Sequence, residues 1–176
     1  MKKIISMSLC IVMLALSLVS CGSGPDKALD AKLALLKEGN FAEAGVLEDS
    51  AFANEDSAML QALYAKMDYT IGEAKVDGET ATVPVTIVMV DMSSVFAAYM
   101  KEALSHLTDP DWDEDGSYFM QMLQAEDAET KEFSVTVNMV KTEDAWEIAE
   151  EGNDELADAL TGGLISALGS LGDLLG

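Results

Sequence analysis

The stretch Tyr69–Asp91, YTIGEAKVDGETATVPVTIVMVD, decides the fold. Ala81, Val83, Val85, Ile87 and Met89 recur at every second position, the period of a strand with one buried face. Upstream, Asp77-Gly78 is a pair that favours a two-residue hairpin turn. The stretch therefore predicts a strand over Tyr69–Val76 that turns and returns as a longer strand over Glu79–Asp91. Pro84 has no N–H for a ladder, so the strand must meet an edge or a bulge there. The same period returns in KEFSVTVNMVKTEDAWEIAE, residues 131–150. This predicts strands 131–141 and 145–149 around the turn Thr142-Glu143-Asp144. Phe133, Val135, Val137 and Met139 face the core, and Trp146 packs over the sheet.

Outside these strands the apolar period is that of helices. Asp26–Glu38 reads as a helix capped by Asp26, with Leu29, Leu33 and Leu36 on one face and Gly39-Asn40 as its stop. Phe41–Val46 adds a turn, and residues 55–67 a second helix with Leu60, Leu63, Tyr64 and Met67 at core spacing. Between the second and third strands lie two more. Ser93–Leu107 repeats Val95, Phe96, Tyr99, Met100, Ala103, Leu104 and Leu107 at spacings of three and four. After the acidic loop Thr108–Gly116, a helix near 117–128 turns Phe119, Met122 and Leu123 inward. Met89, Met100, Met122 and Met139 all fall on inward faces, which reads as core filling. The tail Asn153–Leu175 carries Leu156, Leu160, Leu164, Leu168, Leu171 and Leu175 along one side. Its Gly162, Gly163, Gly169 and Gly172 each cost a helix about 1 kcal/mol relative to alanine, so they either break it or permit close packing. The expected class is α+β: N-terminal helices on a curved antiparallel sheet of about four strands, a helical insertion between strands two and three, and a C-terminal helix. The expected organisation is a domain over 26–152 with an amphipathic helix, 153–176, packed on it.

The N-terminus carries a different signal. Lys2 and Lys3 precede an apolar run, Ile4–Val19, broken by Ser6, Ser8 and Ser17. A cationic start and a short apolar core are what a secretion signal needs, and the run is short for a membrane span of about 20 residues. Leu18-Val19-Ser20-Cys21 resembles the lipobox of bacterial lipoproteins. That resemblance implies a signal peptide over 1–20, diacylglycerol on the Cys21 thiol, and a lipidated tether over 21–25. An ordinary signal peptide, or an uncleaved anchor, that happens to contain a cysteine is the alternative. Cys10 would leave with the signal, so Cys21 would be the one mature cysteine, with no thiol to form a disulfide. The expected location is extracytoplasmic, on the outer face of the bacterial cell membrane.

Charge removes several classes of function. The chain has 32 acidic residues against 10 lysines and no arginine, a net charge of −22. Without Lys2 and Lys3, eight lysines oppose the 32 acids and the net charge becomes −24. Nucleic-acid binding needs clustered cations to displace counterions, so no nucleic-acid partner is expected. Arginine clamps for phosphate or carboxylate are unavailable. The acidity also repels anionic lipid, which leaves the lipid on Cys21 as the membrane contact and a protein or small molecule as the further partner.

The order of lipobox, LKEGNFAEAGVL (36–47), YTIGEAKVDGETATVPVTIVMVD (69–91) and KEFSVTVNMVKTEDAWEIAE (131–150) is similar to small exported lipoproteins of the nuclear-transport-factor-two-like, or cystatin-like, α+β fold. The resemblance covers residues 27–150 and implies paired N-terminal helices packed into a curved sheet, with a tryptophan such as Trp146 on the last hairpin. The inserted helices, about 92–130, depart from that pattern. The fold hosts enzymes, carriers and binding modules alike, so it implies no reaction.

Candidate chemistry is sparse. Asp111-x-Asp113-x-Asp115-Gly116 opens like a calcium-binding loop, whose alternating carboxylates converge on one cation. The twelfth position, where a bidentate glutamate belongs, is Met122, so a solvated acidic connection is the plainer reading. His106, the single histidine, sits off the main apolar stripe, with no nucleophile or orienting acid in any motif around it. Tyr64, Tyr69, Tyr99, Tyr118 and Trp112 could line a pocket or serve as ordinary core and rim. No phosphate loop, nucleophile elbow or zinc-helix motif is present. The expectation is a non-enzymatic binding or accessory module without a cofactor. The alternative is a scaffolding component that self-associates or docks through the C-terminal helix.

Overall fold

The computed structural model describes residues 24–44, 57–109, 112–113, 116–143 and 145–175. The expected signal peptide, Cys21, Asp111 and Asp115 lie outside them.

Five strands form one curled antiparallel sheet: β1 (Asp68–Ile71), β2 (Lys75–Asp77), β3 (Thr80–Val90), β4 (Thr130–Thr142) and β5 (Ala145–Ile148). Their order is β1-β3-β4-β5, with β2 also paired to β3. The β3–β4 ladder runs in one register from Thr80↔Val140 to Val90↔Thr130. Unbroken register keeps every odd residue on one face: Ala81, Val83, Val85, Ile87 and Met89 are buried beside Val135, Val137 and Met139, and Phe133 packs half-buried against them. Even residues such as Thr86, Ser134 and Thr136 form the outer, polar face.

The expected strand 69–76 is in fact two. Ile71 pairs with Val85 and Lys75 with Thr82, so three residues, 72–74, lie opposite only Val83 and Pro84. That extra residue is a bulge, and Pro84 is its cause. The missing Pro84 N–H faces this side, while its carbonyl still accepts from the Gly72 N–H at 2.8 Å. A Cβ on Gly72 would stand 2.9 Å from Pro84 Cγ, so the two residues fit only with a glycine there. Pro84 thus sits in a central strand at the break in its neighbour.

Helices α1 (Pro25–Lys37), α2 (Phe41–Ala44) and α3 (Ser57–Tyr64) supply Leu29, Leu33, Leu36, Leu60, Leu63 and Tyr64 to the core. Asp26 does not cap α1. The helix starts one residue earlier, with Gly24 as N-cap and Pro25 in the first turn, where a missing N–H costs nothing. The helices α4 (Met92–Ser105) and α5 (Ser117–Gln124) form the insertion between β3 and β4. Lys66, after α3, fastens it: its Nζ donates to the carbonyls of Ala125, Glu126 and Ala128 at 2.7, 2.9 and 3.1 Å. These carbonyls follow the C-terminal end of α5, where a cation is favoured. Lys66→Met keeps the stem and deletes the donors, and is expected to lower stability by about 2 kcal/mol in denaturant titration. Unchanged stability would mean that water satisfies the three carbonyls equally well.

The expected single tail helix is broken. Helix α6 (Asp154–Leu160) buries Leu156, Ala159 and Leu160, and α7 (Leu164–Leu175) follows after a break. Between them Gly162 and Gly163 have φ of 63° and 82°, a left-handed pair that a right-handed helix cannot contain. Asn153, just before α6, closes the short β5. Its side-chain Oδ1 accepts from Asn138 N at 2.8 Å and its Nδ2 donates to Asn138 O at 3.0 Å. The Nδ2 also donates to Ala149 O at 2.8 Å, so the carboxamide bridges β4 and the end of β5.

Candidate functional site

Helix α4 begins at a well-built cap. Asp91 Oδ1 accepts from the N–H groups of Ser93 and Ser94 at 3.1 and 3.2 Å, and both serine hydroxyls also donate to its carboxylate. Partial burial opposes the Asp91 charge. The hydroxyls of Ser93 and Ser94, the Ser94 N–H and the Lys131 ammonium outweigh it, and the pKa falls below the ordinary value. The cap fixes where α4 starts, and Met92 and Val95 bury its first turns.

Beyond those turns the expected inward stripe comes out of the protein. Met100 is 43% exposed, Leu104 61% and Leu107 78%. This corrects the assignment of Met100 to the core. The stripe is longer than the surface that covers it, and Leu107 lies past the end of the helix at Ser105. Amphipathic spacing says which residues share a face, not how far the partner extends.

Next to this stripe the structure gathers half-buried aromatic rings from α4, the following loop and α5. Trp112 stacks on His106 with centroids 5.0 Å apart and planes 4° from parallel, and lies 5.5 Å from Tyr99. Tyr99 meets Phe119 edge-on at 5.3 Å, and Trp112 meets Tyr118 at 5.6 Å. These separations suit attractive aromatic pairs, worth about 0.5–1.5 kcal/mol each beyond burial. His106 takes the boundary position expected of it, at the C-cap of α4, with Nε2 3.5 Å from Glu102 Oε1.

Asp113 belongs to the same cluster, and its carboxylate holds the start of a helix. Its backbone is left-handed, with φ of 51°. Its carboxylate accepts from Tyr118 N at 2.6 Å and Phe119 N at 3.4 Å, holding the first turn of α5. Tyr99 also bonds to it; desolvation, this bond and the nearby negative charge raise the Tyr99 pKa. Among the described residues, no group of three or more histidine, cysteine or acidic side chains could hold a metal ion.

The other tyrosines lie elsewhere. Tyr64 is in the core, and burial pushes its pKa up to about 12. Tyr69 donates to Asp30 Oδ1 at 2.9 Å; desolvation first, then Asp30 and the nearby carboxylates, push it to about 12 as well. In the unfolded chain both return to 10.0. Their raised values favour folding in full below pH 10, and that contribution is lost as the pH climbs from 10 towards 12. Ultraviolet titration should show the phenols of Tyr64, Tyr69 and Tyr99 ionising late, one of them removed by Tyr64→Phe. All phenols titrating together near 10 would contradict these environments.

Among the described residues, the enclosed apolar space is small. The apolar recess among Met59, Leu60, Leu63, Tyr64, Met92 and Leu160 encloses about 40 Å³. Small-molecule sites commonly occupy about 300–1,000 Å³. Larger depressions, about 280 and 590 Å³, involve strand residues such as Thr86 and Thr136, or Thr82 and Asn138, which lie on the polar outer face.

No family model matches the sequence. No curated protein matches it either. Among solved structures, the chain is similar to a Bacillus subtilis protein, ycdA, provisionally described as a lipoprotein, at 19% identity and a TM-score of 0.39. The match covers 81% of this chain, and this chain spans about half, 48%, of that protein's length.

Proposed function

We propose that this chain is an extracytoplasmic lipoprotein, held on the outer face of a membrane by lipid on Cys21, and that its domain is a non-enzymatic module that binds another protein. The anchor rests on Lys2-Lys3, the short apolar run and Leu18-Val19-Ser20-Cys21. The binding role rests on one observation: Met100, Leu104 and Leu107 form an exposed apolar run beside the aromatic cluster of α4 and α5. Exposed apolar surface of this kind, rimmed by polar groups, commonly marks a contact site. The titratable residues there support contact rather than reaction, since Asp113 caps a helix and His106 is stacked. Likeness to the nuclear-transport-factor-two-like fold belongs to the same proposal and adds no reaction to it.

Palmitate-analogue labelling in a bacterial host should mark the full chain and be lost in Cys21→Ala; persistent labelling would refute the anchor. A photo-crosslinking residue at Leu104 should yield a discrete heterologous adduct that is missing when it is placed at exposed Glu38. Absence of any adduct at Leu104 would refute the contact surface. An adduct of this chain with itself would favour the scaffolding alternative, which draws on Ile165 and Leu168 of α7, both about half exposed.

A further inference from the structure

Among the described residues, strand β4 is paired along its length on one side only. Towards β3 the ladder runs from Thr130 to Val140, but towards β5 it spans only Met139–Thr142. The direction of each peptide follows from register. Asn138 turns its N–H and C=O to the β5 side, where Asn153 and Ala149 bond them. Lys141, an odd residue, donates instead towards β3, to Glu79 O. With no bulge between β3 and β4, Glu132, Ser134 and Thr136 must face the same side as Asn138. No described residue bonds their three N–H and three C=O groups on that side. All three residues are exposed.

We propose that this edge of β4 receives an extended, cationic segment of another protein as an added strand. An open edge is a template for backbone pairing, and natural proteins usually cover or block one. The charge around it selects the occupant. Glu129 and Glu132 flank one end and Glu151, Asp154 and Glu155 the other, all exposed. Lys131 turns instead to the odd-numbered face, with its Nζ 5.1 Å from the Phe133 ring centroid. A second copy of this chain would bring a net charge of −22 against the same carboxylates, whereas a lysine-bearing strand would neutralise them. Alternation gives specificity. Every second side chain of the added strand would lie beside Glu132, Ser134 and Thr136, and the others beside half-buried Phe133. The proposal rests on the open edge of β4 and stands independently of the α4–α5 surface.

The test uses the full chain in detergent and a capped octapeptide of alternating lysine and valine. Residue-resolved hydrogen exchange should find the Glu132, Ser134 and Thr136 amides fast in the free chain and slowed about tenfold or more by the peptide. Methylating the peptide amides that face β4 should weaken binding by about tenfold or more, since backbone bonds are lost while charge is kept. Ser134→Pro, which removes one edge N–H without touching the β3 ladder, should weaken it similarly. Exchange left unchanged by bound peptide, or equal affinity of the methylated peptide, would overturn the proposal in favour of charge adsorption alone. Protection of the three amides without peptide, together with a dimer in sedimentation, would overturn it in favour of a second copy.

Discussion

Gly162→Ala is expected to destabilise the chain by about 3–5 kcal/mol, more than most single substitutions in a domain of this size. Two effects add. Gly162 has φ of 63°, a conformation that costs an L-residue about 1–2 kcal/mol. A Cβ there would also stand 2.2 Å from the Val90 carbonyl oxygen and 2.8 Å from Met92 Cγ. The Val90 carbonyl is backbone and Val90 is fully buried, so it cannot turn aside as a side chain can. Gly162 O in turn accepts from Met92 N at 3.0 Å, which ties the end of β3, the start of α4 and the break in the tail together. Two control glycines divide the effect. Gly163 has φ of 82°, but its Cβ would meet only the far ends of Phe133 and Lys131, at 3.3 and 3.4 Å; its alanine variant should lose about 2 kcal/mol. Gly39, with φ of 80° and nothing within 4 Å, should lose about 1 kcal/mol. Urea midpoints of the three variants should fall in that order. Equal midpoints would show that the close approach at Gly162 relaxes freely.

Ile87→Ala is expected to cost about 3–4 kcal/mol, while Val88→Ala next to it costs about 1 kcal/mol or less. Ile87 is fully buried in the middle of β3, between the partners Tyr69 on β1 and Phe133 on β4. Truncation removes apolar burial and leaves a cavity that a sheet fixed on both sides closes poorly. Val88 points the other way, onto the half-exposed outer face opposite Glu132. The contrast tests the register directly, because a shift of one residue would exchange the two faces. Thermal unfolding of the two variants would decide it, and similar losses would contradict the assigned faces.

These positions also show how far the sequence could be read. The alternation from Ala81 to Met89 exposed the central strand because side-chain direction in a strand is a local property. The proline's demand for an edge or bulge was local too, but which of the two was not: it depended on Gly72 arriving across from Pro84. Likewise the glycines of the tail announced a break or a close contact, and Gly162 supplies both, which only the position of Val90 reveals. The candidate site was legible in its residues and not in its purpose. Asp113, His106, Trp112, Tyr99 and Tyr118 were each singled out, yet neither their convergence nor the role of Asp113 as a cap has a spacing rule. The fastening by Lys66 joins positions about sixty residues apart, beyond the reach of any periodicity. How far an apolar stripe is covered, and which edge of a sheet stays open, depend on the lengths of partners found elsewhere in the chain.

The rung that Asn153 gives to β4 has a chemical vulnerability that the other rungs lack. A rung made by main chain keeps its donor and acceptor whatever side chain it carries, proline aside. A rung made by a carboxamide can be hydrolysed to a carboxylate without breaking the chain. Deamidation of Asn153 would replace its Nδ2 donor with an oxygen facing the carbonyls of Asn138 and Ala149, turning two attractions into repulsions. The seam between the sheet and the final helices would then loosen with the age of the molecule, at a rate set by how readily the Asp154 backbone nitrogen can reach the carboxamide carbon.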